Sequence, residues 1–368
     1  MSNKVKNIFF LFGLTMVIVM FITFDVSLKQ LWEHICRAGY WLVAAIALWG
    51  VLYALNSLSW RAILKGSGPL GVSWPTLLKF TISGYALNYT TPFGMPGGEA
   101  YRVMTLSKYV GVQRATSSVV LYMMMHIFSH FWFWVTAIIT YLLCALGGDL
   151  SLGTAMRWVL FLASLFCAGG IYLFIRGYRY GLVTKLMRGI SKIPGLRKWG
   201  TAFYAAHQDD LKKIDEQIAA LHSQNRRSFF MSLGLEYGAR ILQSFEIFFM
   251  MLLFGVEPGV TQGMGGTTMN IGGYFLLFVH SFLILAFTSL FANLLGFLPM
   301  QMGGREGGFT LSTTQLGMTP AIGLFISIIS RVRELTWICI GLLLIKIPDP
   351  NPDMTSETIP SYNEKANE

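Results

Sequence analysis

Long apolar runs recur along the chain and are separated by short polar connections and one long basic segment. A run of about 20 apolar residues is long enough to cross the hydrocarbon core of a bilayer as an α-helix. The runs therefore predict an all-α integral membrane protein with about six full transmembrane helices. These spans are predicted at 7–24, 40–60, 115–146, 154–175, 229–255 and 319–345.

Two further segments, 74–110 and 272–316, are apolar but differ from simple spans. Each has an apolar arm, a break that is rich in Pro and Gly, and then a shorter, more polar arm. In the first segment Lys79 lies in the leading arm, while Arg102 and Lys108 lie in the second arm. This pattern favours a re-entrant helix hairpin, which enters and leaves on the same side of the membrane. The alternative is an ordinary kinked span in each segment, giving about eight or more crossings.

The two breaks are similar to each other in sequence. Each contains an Asn, a Pro and a Gly-Gly pair beside a Glu, with an Arg close by. These residues are Asn88, Pro92, Gly97, Gly98, Glu99 and Arg102 in the first break, and Asn293, Pro299, Gly303, Gly304, Arg305 and Glu306 in the second. Helix breakers and carboxylates at membrane depth are costly, and they are tolerated where they line a cavity or bind a ligand. Two such breaks predict an internally repeated, transporter-like protein whose hairpin tips meet at a central site near the bilayer midplane.

The distribution of Lys and Arg predicts the orientation, because positively charged loops stay on the cytoplasmic side. The segment 176–228 is rich in both residues, so this segment and both termini are predicted to be cytoplasmic. The connections at 147–153 and 257–269 contain neither residue and are predicted to face outward. In this layout hairpin 74–110 enters from the cytoplasm and hairpin 272–316 enters from outside. The repeat is therefore predicted to be inverted.

A single polytopic membrane domain is predicted over residues 1–347. Its first repeat is predicted at about 40–146 and its second at about 229–345, each made of a span, a hairpin and a span. The basic segment 176–228 lies between the two repeats. The remaining residues, 348–368, are acidic and are predicted to form a disordered cytoplasmic tail.

Composition narrows the class of protein. With 54% hydrophobic residues, 12% charged residues and a mean hydropathy of +0.55, the chain has the composition of an integral membrane protein. The formal net charge of +10 then bears on orientation, and nucleic acid is not a predicted partner. No nucleotide-binding loop or nucleophile elbow occurs in the sequence, so no cofactor and no catalytic residue is predicted. No metal site is predicted either, since His126 and His130 lack a third ligand and favour packing or hydrogen bonding.

Each hairpin carries groups that suit an anion. In the first hairpin the Gly-Gly pair allows a tight turn, and a helix is predicted to begin near Glu99. The N–H groups at that helix end and the guanidinium of Arg102 would favour a lipid phosphate. The second hairpin offers the same groups with Arg305 and Glu306 adjacent. In the alternative interpretation Glu99 and Arg102 form an i,i+3 ion pair, and Arg305 and Glu306 only hold a helix in place.

Charged residues also lie inside two predicted spans. Arg331, Arg333 and Glu334 occur in the last span, where charges are costly and are predicted to face the interior of the bundle. They either hold a substrate headgroup or balance the acid of the second hairpin. Glu236 and Arg240 are one helical turn apart in the fifth span. They are candidate substrate-binding residues, and the alternative is a structural i,i+4 pair.

Two further stretches add to the motifs of the hairpins. Residues 60–64 are Trp-Arg-Ala-Ile-Leu, and residues 235–243 carry Leu, Glu, Arg and Gln at the first, second, sixth and ninth positions. Together with the two Asn, Pro and Gly-Gly breaks, they resemble the flippase-like membrane region of lysylphosphatidylglycerol synthases and their stand-alone relatives. The resemblance covers about residues 40–345. It implies lipid translocation or glycolipid export in a bacterial cytoplasmic membrane.

The chain departs from that family pattern in two places. The synthases carry a large soluble aminoacyl-transfer domain, whereas here the last predicted span is followed by the acidic tail 348–368. The resemblance therefore implies a protein that is not an aminoacyl-transferring enzyme. Family members also tend to carry an Arg and an acid in the span after the first hairpin. The stretch 122–126 here is Tyr-Met-Met-Met-His, which lacks both.

Two functions are consistent with these patterns. One is a secondary transporter that moves an amphipathic, anionic lipid or glycolipid, with proton coupling through Glu99 and Glu306 as a further hypothesis. The other is a membrane-embedded enzyme that modifies a lipid headgroup and uses those carboxylates as acid and base. A transporter needs two opposed gates, which an inverted repeat supplies. Transport of a membrane lipid is therefore the favoured prediction.

The predicted topology can be tested by single-cysteine labelling. In a background without the native cysteines, cysteines at Asp149 and Gln262 should react with an impermeant maleimide added to intact cells, because both positions are predicted to face outward. A cysteine at Lys198 in the basic segment is the control and should react only after permeabilisation. Protection of both outer positions in intact cells would contradict the layout.

Overall fold

The protein is helical throughout the part of the chain that its computed structural model describes. The described residues are 28–90, 97–148, 150–180, 226–256, 271–294 and 304–349, with a few isolated positions elsewhere. Within them the chain forms nine helices and no strand, which confirms the all-α prediction. The helices are α1 (Leu28–Gly66), α2 (Trp74–Thr90), α3 (Gly97–Val110), α4 (Val112–Leu146), α5 (Thr154–Tyr180), α6 (Arg226–Leu253), α7 (Ile271–Leu294), α8 (Gly304–Gln315) and α9 (Pro320–Lys346).

Several predicted features lie outside the described residues. These are most of the first predicted span at 7–24, the hairpin tips at 91–96 and 295–303, most of the basic segment after 180, and the tail after 349. Gly303 of the second Gly-Gly pair is among them. The predictions made for these positions remain predictions.

Four of the described helices are long and apolar enough to cross a membrane. They are Gly39–Gly66, Val112–Leu146, Thr154–Arg176 and Gly272–Leu294. The first three coincide with predicted spans. Helices α6 and α9 cover two more predicted spans, but each carries three buried charged side chains near its middle, which lowers its apolar character. Helix α7 reaches span length although its sequence was interpreted as one arm of a hairpin, so the number of crossings and the re-entrant geometry remain predictions.

A glycine separates each hairpin from the long helix that follows it. Gly111, between α3 and α4, has φ of 81°, and Gly317, between α8 and α9, has φ of 77°. Both values lie in the left-handed region, which glycine enters without the steric cost that other residues meet there. The chain therefore turns in the same way at corresponding places in its two halves.

The helices pack in a pattern that is unchanged when the two halves are exchanged. In this exchange α1 is matched with α6, α2 with α7, α3 with α8 and α4 with α9. The contact between α2 and α9 then corresponds to the contact between α7 and α4. Both contacts are present. The contacts of α1 with α4 and of α6 with α9 form another such pair. Helices α1 and α6 match each other and pack extensively together, while α5 lies outside the pattern and packs on α4. An internal two-fold repeat produces such a pattern.

Two apolar cores hold the hairpin helices in place. One core surrounds α7 and α8 and includes Phe133, Leu283 and Ile326. The other surrounds α2 and α3 and includes Trp60 and Tyr101. Helices α4 and α9 contribute to both cores. Because tight side-chain packing is the main source of helix association in a membrane, this arrangement fixes the polar side chains that lie between the two hairpins.

Helices α2 and α3 approach each other most closely at the first Gly-Gly pair. A Cβ atom on Gly98 would lie 1.9 Å from the carbonyl oxygen of Gly84 and 2.6 Å from Oδ1 of Asn88. Neither the backbone nor the short Asn side chain can move away without separating the two helices. Small residues at such a crossing allow two backbones to come together, so glycine is needed at this position for packing.

Replacing Gly98 by Ala should therefore lower the thermal stability of the purified protein. Overpacking of this kind costs about 1–3 kcal/mol, which a melting curve in one detergent would report as a lower Tm. Gly307→Ala is the matched control, because Gly307 also lies in a hairpin helix and a Cβ there has nothing within 4 Å. An equal loss of stability in both variants would contradict the role given to the close approach.

Candidate functional site

A polar cavity of about 270 Å³ lies between the two halves of the bundle. Both hairpins border it, through Tyr85 and Tyr89 of α2, Asn293 at the end of α7 and Arg305 at the start of α8. The side chains next to the two Pro/Gly breaks thus face one shared space. The charged and imidazole groups on its wall are His126, His130, Glu236, Arg240, Arg305 and Arg333.

The predicted site residues fall into three groups. The first group lines the cavity and consists of Glu236, Arg240, Asn293, Arg305 and Arg333. The second lies directly behind Arg305 on α8 and α9 and consists of Gly304, Glu306, Arg331 and Glu334. The third lies within the first hairpin and consists of Asn88, Gly97, Gly98, Glu99 and Arg102. The sequence predicted one central site, and the described structure divides these residues between a cavity wall and two supporting clusters.

The second hairpin is tied to α9 by a network of ion pairs. Glu334 accepts hydrogen bonds from Arg305 on one oxygen and from Arg331 on the other, the latter at 3.1 Å. Arg331 also donates to Glu306 at 3.0 Å, and Ser327 lies 3.3 Å from the same carboxylate oxygen. Each guanidinium therefore has a carboxylate partner, which offsets the cost of removing the charge from water.

A second ion pair joins α9 to α6 and reaches α1. Arg333 donates through Nε to Glu246 at 2.8 Å, and Trp49 donates to the other oxygen of Glu246 at 2.8 Å. The guanidinium of Arg333 also lies 3.8 Å from the ring centre of Trp49, a cation–π contact. Glu246 and Trp49 were not among the residues predicted for the site. Glu246 had the same signal as Glu236, a carboxylate inside an apolar run, whereas nothing in the sequence distinguishes Trp49 from other aromatic residues.

Glu236 and Arg240 of α6 both contact α4. His126 Nδ1 lies 2.8 Å from Glu236 Oε2. Arg240 donates to Ser129 Oγ at 2.7 Å, to His130 Nε2 at 2.7 Å and to the carbonyl oxygen of His126 at 2.9 Å. The two side chains also act on each other electrostatically, but their hydrogen bonds go to α4. Their roles as a structural pair or as substrate-binding residues both remain predictions.

The two histidines of α4 are hydrogen-bonding groups, as the sequence favoured. Because Arg240 donates to His130 Nε2, the proton of that ring must lie on Nδ1, which is 3.1 Å from the carbonyl oxygen of His126. The stretch 122–126 contains no Arg or acid of its own. Glu236 and Arg240 reach across from α6 and bring both charges to this part of α4.

The polar groups of the first hairpin bind mainly one another, and Arg102 Nε is buried without a hydrogen-bond partner among the described residues. Asn88 Oδ1 accepts a hydrogen bond from the backbone N–H of Gly98 at 2.7 Å, and Asn88 Nδ2 donates to Glu99 at 2.8 Å. Arg102 donates to Glu99 at 3.3 Å and is only 1% exposed, with its guanidinium 4.6 Å from the ring centre of Tyr85. The i,i+3 pair between Glu99 and Arg102 is thus present. The Gly98 N–H, which the sequence offered to an anion, is taken by Asn88.

The wall of the cavity is more cationic than the site as a whole. Three guanidinium groups face it with one carboxylate, that of Glu236. The acids that pair with Arg305 and Arg333, namely Glu334 and Glu246, are not among the lining residues. Arg333 Nη1 is buried, makes no hydrogen bond within the described part of the chain, and lies 3.8 Å from a carboxylate oxygen of Glu334. A guanidinium has five N–H donors, so an arginine that is paired on one side can still bind an anion on the other.

The fold and the cavity define a multi-pass membrane protein with a polar site enclosed between two similar halves. Over residues 9–342 the chain matches the family described as Lysylphosphatidylglycerol synthase TM region. The match covers most of the chain, so this protein belongs to that family, and the resemblance found in the sequence is confirmed. Comparison with curated proteins and with solved structures returned no match.

The Arg333–Glu246 pair gives a prediction about stability. Glu246→Gln should lower the free energy of unfolding markedly, because it removes the nearest carboxylate of a buried arginine and leaves only Glu334, 3.8 Å away. Breaking a buried pair costs up to about 3–5 kcal/mol. Glu306→Gln is the comparison, since Glu306 is 28% exposed and its partner Arg331 keeps Glu334 at 3.1 Å. Chemical or thermal unfolding in one detergent measures both variants. Equal losses, or a larger loss for Glu306→Gln, would contradict this ranking.

Proposed function

We propose that this protein translocates an amphipathic, anionic lipid or glycolipid across a bacterial cytoplasmic membrane. In this proposal the headgroup passes through the central cavity, and both termini are cytoplasmic. The two halves act as inverted repeats with re-entrant hairpins at 74–110 and 272–316. The protein acts as a transporter and needs no cofactor.

The cationic wall of the cavity is the observation that carries the proposal. Arg240, Arg305 and Arg333 face the cavity together with a single carboxylate. Charge-assisted hydrogen bonds from guanidinium groups to a phosphate or carboxylate are strong and directional. Negative headgroups therefore suit this cavity better than positive ones.

The size of the cavity supports a lipid substrate. Pockets that enclose a drug-sized ligand have volumes of about 300–1,000 Å³, and this cavity, at about 270 Å³, is smaller. A whole phospholipid would not fit. A headgroup alone would fit, and the acyl chains would then stay in the bilayer while the headgroup crosses between the two halves.

The symmetry of the packing supports transport rather than a one-sided enzyme. Exchange of the two halves leaves the set of packed helix pairs unchanged. Two similar arrangements of nearly equal energy are what alternating access requires, because either half can open while the other closes. The cavity lies where the two halves meet, so in this proposal it opens in turn to each side of the membrane.

A headgroup-modifying enzyme is the second candidate, and one observation favours it. The carboxylate and imidazole of Glu236 and His126 are in hydrogen-bond contact beside the cavity, an arrangement that can move a proton in acid–base catalysis. Mass spectrometry of lipids recovered after incubation with the protein separates the two functions. A transporter returns the lipid with its mass unchanged.

Translocation should depend on the cavity arginines. We expect Arg305→Gln and Arg333→Gln to slow the movement of short-chain fluorescent phosphatidylglycerol in proteoliposomes about tenfold or more, since a hydrogen bond to a charged group contributes about 1.5–3 kcal/mol. Extraction of the outer-leaflet probe by albumin measures the rate. Protein incorporation must be matched between samples.

Arg114→Gln is the control for loss of a cationic side chain. Arg114 donates to the carbonyl oxygen of Leu64 and to Ser67 at the end of α1, and it does not line the cavity. This variant should keep the parental rate. If the two cavity variants are well folded and move the probe as fast as Arg114→Gln does, the cavity is not the path of the headgroup.

A further inference from the structure

We propose that Glu236, paired with His126, is a proton-binding site whose protonation is linked to the binding of the anionic headgroup, so that a proton and a lipid cross together. This inference rests on the proposed function and adds its coupling ion. It also assigns the proton-carrying role to a residue of α6, whereas the sequence predicted that role for Glu99 and Glu306.

The two oxygens of Glu236 have different surroundings. Oε2 lies 2.8 Å from His126 Nδ1. Oε1 is buried and has no partner in full hydrogen-bond geometry within the described residues, although the Ser59 hydroxyl acts on this carboxylate. The side chain is only 1% exposed and borders the cavity. The nearby hydroxyl of Ser59 is shared with Ser232 at 2.8 Å. A proton can therefore be added at Oε1 while the contact with His126 is kept.

The other acids near the cavity are less suited to this role. Both oxygens of Glu246 accept hydrogen bonds, from Arg333 and Trp49. Both oxygens of Glu334 accept hydrogen bonds from arginines. Protonating either acid would break an ion pair and leave a buried guanidinium without its partner, which is costly. Glu236 has an imidazole as its direct partner, so it can change charge without breaking an ion pair with an arginine.

The charged side chains that act electrostatically on Glu236 are arginines. Arg240 lies one turn further along α6, and Arg102 on α3 and Arg240 both act electrostatically on the Glu236 carboxylate. Helix α4 brings its two histidines, and α9 brings Arg333, which pairs with Glu246 further along α6. Helix α1 contributes Ser59. Helix α7 contains no Asp, Glu, Lys or Arg, and its Tyr and His residues are not among those that line the cavity.

A short chain of hydroxyl groups leads from this site to the first hairpin. Tyr85 on α2 lies 3.4 Å from His126 Nδ1, and its hydroxyl is 3.0 Å from that of Tyr122 on α4. Tyr85 borders the cavity and also lies against the guanidinium of Arg102. Hydroxyl and imidazole groups in contact can pass a proton by exchanging donor and acceptor roles. A movement of α2 would therefore change the contact of Tyr85 with His126, which is the partner of Glu236.

The direction of coupling follows from the charges. With Glu236 ionised, the lining carries three positive charges and one negative charge. Protonation removes the negative charge, so a negatively charged headgroup binds more tightly as pH falls. Linkage is reciprocal, so the bound headgroup must in turn favour the protonated carboxyl. Proton and anionic lipid therefore travel in the same direction.

The test measures translocation of short-chain fluorescent phosphatidylglycerol in proteoliposomes over a series of pH values, with phosphatidylcholine as the zwitterionic probe. The parent protein should move phosphatidylglycerol faster as pH falls. Glu236→Gln, which imitates the protonated carboxyl, should bind that lipid equally at every pH and should not acidify a lumen that contains a pH dye. Glu99→Gln is the matched control and should keep the parental pH dependence. The inference is overturned if Glu236→Gln keeps that dependence as well.

A second readout does not depend on transport. Infrared difference spectra of the parent protein should show a protonated carboxyl band that appears as pH falls and becomes stronger when phosphatidylglycerol is added. The band should be missing in Glu236→Gln. If that variant does not fold, Glu236→Asp should instead show the band at a shifted frequency.

If the parent moves phosphatidylglycerol but no such band titrates, the inference fails and the proposed function stands. If the parent moves no anionic lipid at any pH, the proposed function fails, and the infrared result alone then decides whether Glu236 is a proton-binding site.

Discussion

An arginine that leaves water for the interior of a membrane bundle must meet a carboxylate or several strong acceptors, since an uncompensated charge there costs several kcal/mol. This requirement explains how α6, α8 and α9 are held. Arg333 is joined to Glu246 of α6, while Arg305 and Arg331 share Glu334. Each pair fixes the position of a helix as well as a charge. The same pairs hold guanidinium groups at the cavity wall with their acids behind them, so the constraint that stabilises the bundle also gives the cavity its positive lining.

Sequence alone predicted the apolar spans, the two breaks and most of the buried charges, because these are local features of the chain. The partners of the charges could not be predicted in this way. Trp49 and Glu246 are 197 residues apart, and His126 and Glu236 are 110 residues apart. The i,i+4 spacing suggested a pair within α6, but the hydrogen bonds of both side chains go to α4.

The two halves are alike in packing and unlike in chemistry. Helix α4 carries two histidines on the side that faces α6, whereas the matching helix α9 carries Arg331, Arg333 and Glu334. The cavity between the two similar backbones therefore takes its histidines from one half and its arginines and Glu236 from the other. Glycines at helix crossings and turns preserve the shared backbone arrangement, because packing selects for size there and charge plays no part. The polar side chains are free to diverge between the halves.

The location of the polar contacts limits how the halves can move. The contacts of Asn88, Glu99 and Arg102 lie within the first hairpin, and those of Arg305 lie within the second half. The charged groups of each cluster pair with one another, so a cluster can move as a unit without separating its ion pairs. The contacts of Glu236 and Arg240 with α4 are different, because they join one half to the other, as the hydrogen bond from Trp49 of α1 to Glu246 of α6 also does. A rearrangement between the halves would change these contacts, so the charges of Glu236, Arg240 and Glu246 lie where the two halves would move against each other.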